Sequence, residues 1–139
     1  MTTYERGKLY EISIIDFKLD PDQPRKVIDP DALAELTASI KTHGILQPLL
    51  FRQGDQGWLY IVSGERRYRA AKELGLLTLP AMLVEGNHAE IALVENLLRQ
   101  DLTAVEEAEA LQRLKDDQQY TDEQLSGVIG RARTTLSDI

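Results

Sequence analysis

Three arginines that follow a glycine turn are the residues of this chain best suited to chemistry. The stretch reads Ser63-Gly64-Glu65-Arg66-Arg67-Tyr68-Arg69. Aromatic and β-branched residues precede it and alanines at helical spacing follow it, so the pattern predicts a buried strand, a tight turn and a helix. Backbone N–H groups at a helix start bind anions, and guanidinium groups suit phosphate oxygens. Cations are otherwise unfavourable at a helix start, so the placement favours a phosphate site over a solvated helix face.

These residues alone do not distinguish the phosphates of a nucleotide from those of a nucleic acid. The chain lacks a Gly-x-x-x-x-Gly-Lys sequence, which argues against an ordinary P-loop ATPase. A divalent cation is expected beside a triphosphate, and Glu95-Asn96 places two side-chain oxygens of the kind that Mg²⁺ binds next to each other. A glutamate is usually a solvated helix acid, but an asparagine in mid-helix is harder to explain without a partner.

Composition excludes several kinds of site. The 139 residues include no cysteine, so disulfides, thiolate metal sites and cysteine nucleophiles are absent. The two histidines, His43 and His88, lie far apart, with no second ligand at metal-binding spacing. The sequence shows no apolar run that could span a membrane and no signal-peptide pattern, so a cytoplasmic protein is expected, without membrane partners.

Charge is distributed unevenly along the chain. The net charge is −7, which argues against a protein that coats DNA non-specifically. Residues 1–85 carry 11 basic and 12 acidic side chains, whereas residues 86–139 carry 5 and 11. A polyanion would therefore have to meet local basic patches, which are the arginine helix and the pair Arg131 and Arg133.

Turn and capping residues divide the chain into a mixed α+β pattern. The predicted strands are 8–19, 45–52, 58–62 and 78–84. Three predicted helices lie between Asp29 and Gly44, between Gly64 and Gly75, and from His88 to about Arg99. Two more begin at the capping boxes Thr103–Glu106 and Thr121–Gln124. The expected fold is a small sheet with helices, followed by an all-α segment.

The end of the chain is typical of two short helices joined by a turn at Gly130. The second of them begins with Arg131, Ala132 and Arg133 and continues with Thr134 and Thr135. This pattern fits a helix-turn-helix that binds DNA, and it fits a plain pair of packing helices equally well.

Five ordered segments give the chain a family resemblance. It resembles the N-terminal part of ParB-type chromosome or plasmid partition proteins through Gln23-Pro24-Arg25, residues 33–40, Gly44-Ile45-Leu46-Gln47-Pro48-Leu49, residues 64–71 and residues 95–108. The resemblance implies a ParB/sulfiredoxin-like nucleotide-binding domain over residues 1–87, a helical linker and dimerisation region over 88–119, and a truncated helix-turn-helix domain over 120–139.

The same resemblance implies a CTP-dependent clamp that closes on DNA as a homodimer, reads a centromere-like site and hydrolyses CTP slowly. The cofactors implied are CTP and Mg²⁺. The residues expected to bind them are Pro24, Arg25, Gly44, Ile45, Leu46, Gln47, Pro48, Gly64, Glu65, Arg66, Arg67, Arg69, Ala70, Glu95, Asn96 and Arg99. Glu95 and Asn96 are expected at the metal, and Glu65 and Glu95 in catalysis. DNA contacts are expected from Arg131, Arg133, Thr134 and Thr135.

Two alternatives remain open. The fold also serves phosphotransferases, nucleases and sulfiredoxin, although sulfiredoxin needs a cysteine in the arginine turn and this chain has none. The second alternative is a transcription regulator that binds DNA without a nucleotide. The basic segment with which many ParB-type proteins engage a ParA-type ATPase is not visible in Met1–Leu9, so contact with such an ATPase is left open.

Overall fold

The computed structural model describes residues 3–19, 29–44, 47–99 and 101–137, with only the helical backbone for 131–137. Strands in these ranges are β1 Leu9–Ser13, β2 Phe17–Leu19, β3 Leu49–Gln53, β4 Leu59–Ser63 and β5 Thr78–Leu83. Helices are α1 Pro30–His43, α2 Glu65–Leu74, α3 His88–Leu97, α4 Ala104–Gln118 and α5 Asp122–Ser137. The mixed α+β class predicted from the sequence is confirmed. No helix within the described ranges has both the length and the apolar character needed to cross a membrane.

The five strands form one sheet in the order β1-β5-β3-β4-β2. The outer strands β1 and β2 are antiparallel to β5 and parallel to β4, respectively. Four strand spacings would separate the two edges of a flat sheet by about 19 Å. Phe17 follows Ser13 by only four residue steps, a reach of at most about 14 Å. The sheet must therefore curl, so that its two edges approach each other.

The single strand predicted over residues 8–19 is wrong. A 3₁₀ turn at Ile14–Asp16 divides it, and the backbone N–H of Ile14 donates to the carbonyl of Leu77 at 3.0 Å. Apolar residues recur at short spacing on both sides of the turn, with a change of phase at Ile14-Ile15, which is why the pattern gave one strand. Each half pairs with a different partner at a different edge of the sheet.

The two faces of the curled sheet bury separate clusters. Because side chains alternate along a strand, Leu49 and Phe51 of β3 join one cluster and Leu50 joins the other. The first cluster includes Ala71 of α2. The second unites the sheet with α3, α4 and α5 through Val94, Leu114 and Val128, among others. The second cluster therefore ties the C-terminal helices to the sheet.

Capping residues start the helices where the sequence predicted. The Asp29 side chain accepts from the N–H of Asp31, and Pro30 occupies the first helical position. Both bonds of the capping box between Thr103 and Glu106 are present. At the second box, the N–H of Gln124 donates to Oγ1 of Thr121 at 3.1 Å, and Oε1 of Gln124 accepts from the Thr121 N–H at 2.9 Å.

The turn predicted at Gly130 is not formed. Helix α5 continues through this residue to Ser137. A glycine weakens a helix interior by about 1 kcal/mol relative to alanine, but it keeps its N–H and does not break the helix as proline does. The tight connection lies earlier, between α4 and α5, where Gln119 adopts the left-handed conformation with φ 55°.

Candidate functional site

The turn between β4 and α2 places the arginine helix beside β3. Gly64 precedes the helix with φ 100°, a left-handed conformation that favours glycine. A Cβ atom at this position would lie 2.2 Å from Cδ2 of Leu49 and 3.4 Å from Nη1 of Arg67. The tight strand-to-helix turn predicted from the sequence is therefore confirmed, and both its backbone and its surroundings require glycine.

The three arginines of this helix have different surroundings. Arg67 is partly buried, and its Nη2 donates to Oε1 of Gln47 at 2.7 Å, with a weak 3.5 Å contact from Nη1 to the Pro48 carbonyl. Arg69 pairs with Glu65 one turn back, with Nη2 and Oε1 3.0 Å apart. Arg66 is exposed. Of the three, Arg67 is the one held inside the fold.

Burial is the main influence on Arg67. It lowers the pKa of the guanidinium, while the carboxylate of Glu95 acts in the opposite direction and Arg66 adds to the lowering. A partly desolvated cation gains more from a nearby anion than an exposed one does. Arg67 is therefore prepared to interact strongly with a negatively charged ligand.

The end of α3 forms the opposite wall. Nε2 of Gln47 donates to the carbonyl of Leu98 at 2.9 Å, which joins this wall to the segment before β3. Oδ1 of Asn96 accepts from Nη1 of Arg99 at 3.2 Å. Arg99 also pairs with Asp101, and their hydrogen bond raises the pKa of the guanidinium and lowers that of the carboxyl.

Between the walls lies an open cleft of about 640 Å³. This volume falls in the range of small-molecule sites, roughly 300–1,000 Å³. The lining combines cations, an acid, amides and apolar groups: Gln47, Pro48, Ser63, Arg67, Ala92, Leu93, Glu95, Asn96, Leu98 and Arg99. Such a mixture can hold a molecule with an anionic part and a flat, hydrogen-bonding part.

The structure brings together part of the predicted set. Gln47, Pro48, Arg67, Glu95, Asn96 and Arg99 line the cleft. Gly64 lies close to the Arg67 side chain but outside the lining. Gly44 is exposed at the end of α1, and Ala70 is completely buried in the core. Glu65, Arg66 and Arg69 lie on α2 outside the lining. Pro24, Arg25, Ile45 and Leu46 lie outside the described residues.

Four lining residues were missed by the sequence reasoning. They are Ser63, Ala92, Leu93 and Leu98. Ser63 directly precedes the glycine turn, and Ala92 lies one helical turn before Asn96, so their spacing could have indicated them. Leu93 and Leu98 look like ordinary core leucines, and nothing local distinguishes them.

The C-terminal residues predicted to contact DNA are placed only by their backbone. Arg131, Arg133, Thr134 and Thr135 lie on the last part of α5. No group of three or more acidic or histidine side chains that could hold a metal occurs among the described residues. Glu95 and Asn96, the two residues predicted to hold the metal, both belong to the cleft lining.

Comparison with known proteins accounts for nearly the whole chain. The family model of the ParB N-terminal domain matches residues 1–97, and the family model of the ParB HTH domain matches residues 100–139. The chain is 45% identical to a probable chromosome-partitioning protein ParB of Vibrio cholerae over 136 residues, 96% of this chain and 46% of that protein. It is 48% identical to the stage 0 sporulation protein J of Bacillus subtilis over 131 residues, 92% of this chain and 46% of that protein. The chain thus spans about half the length of these relatives.

Two crystal structures of C-terminally truncated ParB from Caulobacter crescentus are also similar. The complex with CTP-γ-S matches with a TM-score of 0.56 at 37% identity, covering 92% of this chain and 74% of that chain. The complex with the centromeric parS site matches with a TM-score of 0.53 at 37% identity, covering 92% of this chain and 68% of that chain. The chain belongs to the ParB family of chromosome-partitioning proteins.

Proposed function

We propose that the cleft binds CTP with Mg²⁺ and that the chain is the nucleotide-dependent part of a DNA clamp in chromosome or plasmid segregation. The observation that carries the proposal is the partly buried Arg67, which lines the cleft of about 640 Å³ together with Glu95 and Asn96 and is influenced by the Glu95 carboxylate. The Caulobacter relative bound to CTP-γ-S covers 92% of this chain at 37% identity, and this supports the choice of CTP.

The phosphates are assigned to the arginine side of the cleft. Arg67 donates two hydrogen bonds to protein groups, one of them weak, and a guanidinium has five N–H donors. The remaining donors are suited to phosphate oxygens, which arginine binds with two parallel bonds. Arg66 and Arg69 lie on the same helix, outside the cleft lining, and are proposed to add charge from its rim.

The Mg²⁺ is assigned to Glu95 and Asn96. Mg²⁺ usually takes one or two oxygens from a protein and completes its shell with phosphates and water, and this pair provides that number. The amide oxygen of Asn96 accepts from Arg99 in the structure, so a metal would compete with this bond. When bound, the ion would neutralise phosphate charge during hydrolysis.

Slow hydrolysis is assigned to two carboxylates. Glu95 lines the cleft and is proposed to orient the attacking water. Glu65 pairs with Arg69 outside the lining, so we assign it the indirect role of holding that arginine. The nucleobase is assigned to the Gln47–Pro48 side, next to Leu98.

Clamping requires DNA and a second copy of the chain. The HTH family model over residues 100–139 and the parS-bound Caulobacter relative support DNA binding by α4 and α5. Arg131, Arg133, Thr134 and Thr135 remain the proposed contacts. The homodimer closed by nucleotide is a proposal from the family, and a ParA-type ATPase remains an open partner.

Nucleotide titration tests this proposal against its alternatives. Isothermal titration with CTP, ATP and GTP, each with and without Mg²⁺, is expected to give heat with CTP and Mg²⁺ and little with the purine nucleotides. Preference for ATP would favour a phosphotransferase. DNA binding with no nucleotide binding at all would favour a transcription regulator.

A further inference from the structure

Glu90, in the first turn of α3, is a carboxylate with no exposed surface. Its Oε1 accepts from the backbone N–H groups of Glu85 and Gly86 at 2.8 and 3.2 Å. Its Oε2 accepts from the hydroxyl of Tyr120 at 2.5 Å and lies 3.6 Å from Nη1 of Arg6. A buried carboxylate with this many partners belongs to a structured polar network rather than to a solvated helix face.

The partners of Glu90 come from both halves of the chain. Tyr120 lies in the connection between α4 and α5. The Arg6 guanidinium lies over the Tyr120 ring, 4.1 Å from the ring centre. Arg6 also donates to the carbonyls of Gln118 and Gln119 at the end of α4, at 2.9 and 3.1 Å. We call Arg6, Glu90 and Tyr120 the polar lock. It joins the segment matched by the ParB N-terminal domain to the segment matched by the HTH domain.

A close backbone contact lies beside the polar lock. A Cβ atom at Gly127, in α5, would lie 1.8 Å from the carbonyl oxygen of Gly7. A Cβ atom at Gly7 would lie 2.4 Å from the carbonyl oxygen of Gln124. Glycines on both sides therefore let α5 approach the N-terminal segment more closely than any side chain would allow.

Helix α3 links the polar lock to the cleft. Glu90 lies in its first turn and Asn87 is its N-cap. Nδ2 of Asn87 donates to Oε1 of Gln118 at 2.8 Å. Its last turns carry Glu95 and Asn96 in the cleft lining. A ten-residue helix is a rigid element about 15 Å long, so a displacement at one end moves the other.

We propose that the residues of the polar lock are positioning residues. While α4 and α5 are docked on the sheet, the lock holds α3 in one position and thereby fixes where Glu95 and Asn96 lie in the cleft. The part that concerns nucleotide affinity rests on the function proposed above. When α4 and α5 leave, Oε2 of Glu90 loses the Tyr120 hydroxyl and is left with the 3.6 Å contact to Arg6. The cost of this under-bonded carboxylate oxygen favours a discrete shift of α3 over a gradual one. The cleft and the DNA-binding helices are thereby coupled, and by linkage each affects the other.

Two glycines of α5 provide a matched test. Gly127→Ala and Gly130→Ala give α5 the same gain in helix propensity. A Cβ at Gly130 meets nothing within 4 Å, whereas one at Gly127 meets the Gly7 carbonyl. Hydrogen exchange followed by mass spectrometry is expected to show at least about tenfold faster exchange in α5 and the end of α4 for Gly127→Ala. Strands β3–β5 should be unchanged, and Gly130→Ala should exchange as slowly as wild type or more slowly.

Tyr120→Phe tests the lock itself, since it keeps the ring and removes the hydroxyl. Tyr10→Phe is its control, because that hydroxyl also takes part in a hydrogen bond, which it accepts from the N–H of Glu5 outside the polar lock. Tyr120→Phe should speed exchange in α4 and α5 selectively. It should also raise the dissociation constant of CTP with Mg²⁺ by about threefold or more, which is a fraction of the roughly tenfold effect of losing one bond to a charged group. Tyr10→Phe should do neither.

The outcomes separate the two proposals. If wild type does not bind CTP, the proposed function fails, and the exchange experiment still decides whether the polar lock docks α4 and α5. Equal exchange in Gly127→Ala and Gly130→Ala would overturn docking. Selective loosening by Tyr120→Phe without any change in CTP affinity would overturn the coupling to the cleft. If Tyr120→Phe does not fold, Arg6→Gln provides the same two readings.

Discussion

The guanidinium of Arg67 and the side-chain amide of Gln47 lie 2.7 Å apart, Nη2 to Oε1. This bond joins the arginine helix to the segment before β3, and Gln47 in turn reaches the carbonyl of Leu98 beyond α3. One glutamine thus connects both walls of the cleft. Its two contacts hold Arg67 in place before any ligand arrives, which reduces the ordering that binding would require.

Arg67→Ala should weaken CTP binding about 10- to 100-fold, because each charge-assisted hydrogen bond that it removes contributes roughly 1.5–3 kcal/mol. Arg67→Lys should bind CTP almost as weakly as Arg67→Ala does, because an ammonium cannot form two parallel bonds to phosphate. Isothermal titration measures both variants. Arg113→Ala, on the exposed side of α4, is the control. If Arg67→Ala binds CTP as tightly as wild type, the phosphates lie elsewhere.

Glu95→Gln and Asn96→Ala should separate binding from turnover. Glu95→Gln keeps an oxygen ligand but cannot act as a base, so we expect nearly normal CTP binding and loss of phosphate release. Asn96→Ala removes a metal ligand and should shift the Mg²⁺ dependence to higher concentration. Single-turnover hydrolysis across a Mg²⁺ series measures both effects. Equal rates in the variants and wild type would leave Glu95 as a surface acid.

Gly64→Ala should destabilise the fold more than Gly75→Ala does. Both glycines have positive φ, 100° and 74°, so alanine adds backbone strain at each, on the order of 1 kcal/mol. Only the Gly64 position adds an overlap, with Cδ2 of Leu49, since a Cβ at Gly75 meets nothing within 4 Å. Urea denaturation followed by the fluorescence of Trp58 measures the difference. Equal losses of unfolding free energy would contradict the close contact with Leu49.

Tyr120 should make stability fall in alkaline solution. Burial, and then the hydrogen bond to Glu90, raise the pKa of this hydroxyl above its usual value of 10. Above pH 10 the unfolded chain releases the proton and the folded chain keeps it, so the free energy of unfolding falls by up to about 1.4 kcal/mol per pH unit. Tyr120→Phe should lose this contribution. Denaturation series between pH 8 and about pH 11 compare the slopes, and parallel slopes would contradict the buried state of the hydroxyl.

CTP with Mg²⁺ should increase self-association of the chain. Val105 on α4 is 68% exposed, as expected if this apolar side chain meets a second copy when nucleotide is bound. Sedimentation velocity with and without CTP and Mg²⁺ measures the change, with Arg67→Ala as the variant that should not respond. A monomer under every nucleotide condition would contradict the clamp.

Local patterns were sufficient for the turn at Gly64, the capping of α1 and α4 and the α+β class, because each depends on residues close together in the sequence. The paired edges of residues 8–19 were not predictable in this way. Which edge of the sheet each half joins depends on its pairing with β4 or β5, and these strands lie far along the chain. The same holds for the bond between Arg67 and Gln47.

Glu90 and Gly130 show two further limits. Glu90 looks like any acid in the first turn of a helix, and its burial depends on Tyr120 and Arg6, which approach from opposite ends of the sequence. Glycine is common in turns, but at Gly130 the helix α5 continues without interruption. Propensity gives a preference of about 1 kcal/mol at such a position, and the neighbouring helical turns outweigh it.

The curled sheet has a consequence for the order of folding during synthesis. Leu9 pairs with Met82 and Phe17 with Leu59, so both edge strands are translated long before their partners emerge from the ribosome. Pairings this distant in sequence raise the contact order and slow folding. The two edge strands are therefore among the last elements to reach their native places, and the nascent chain carries their apolar side chains unpaired until β4 and β5 have been made.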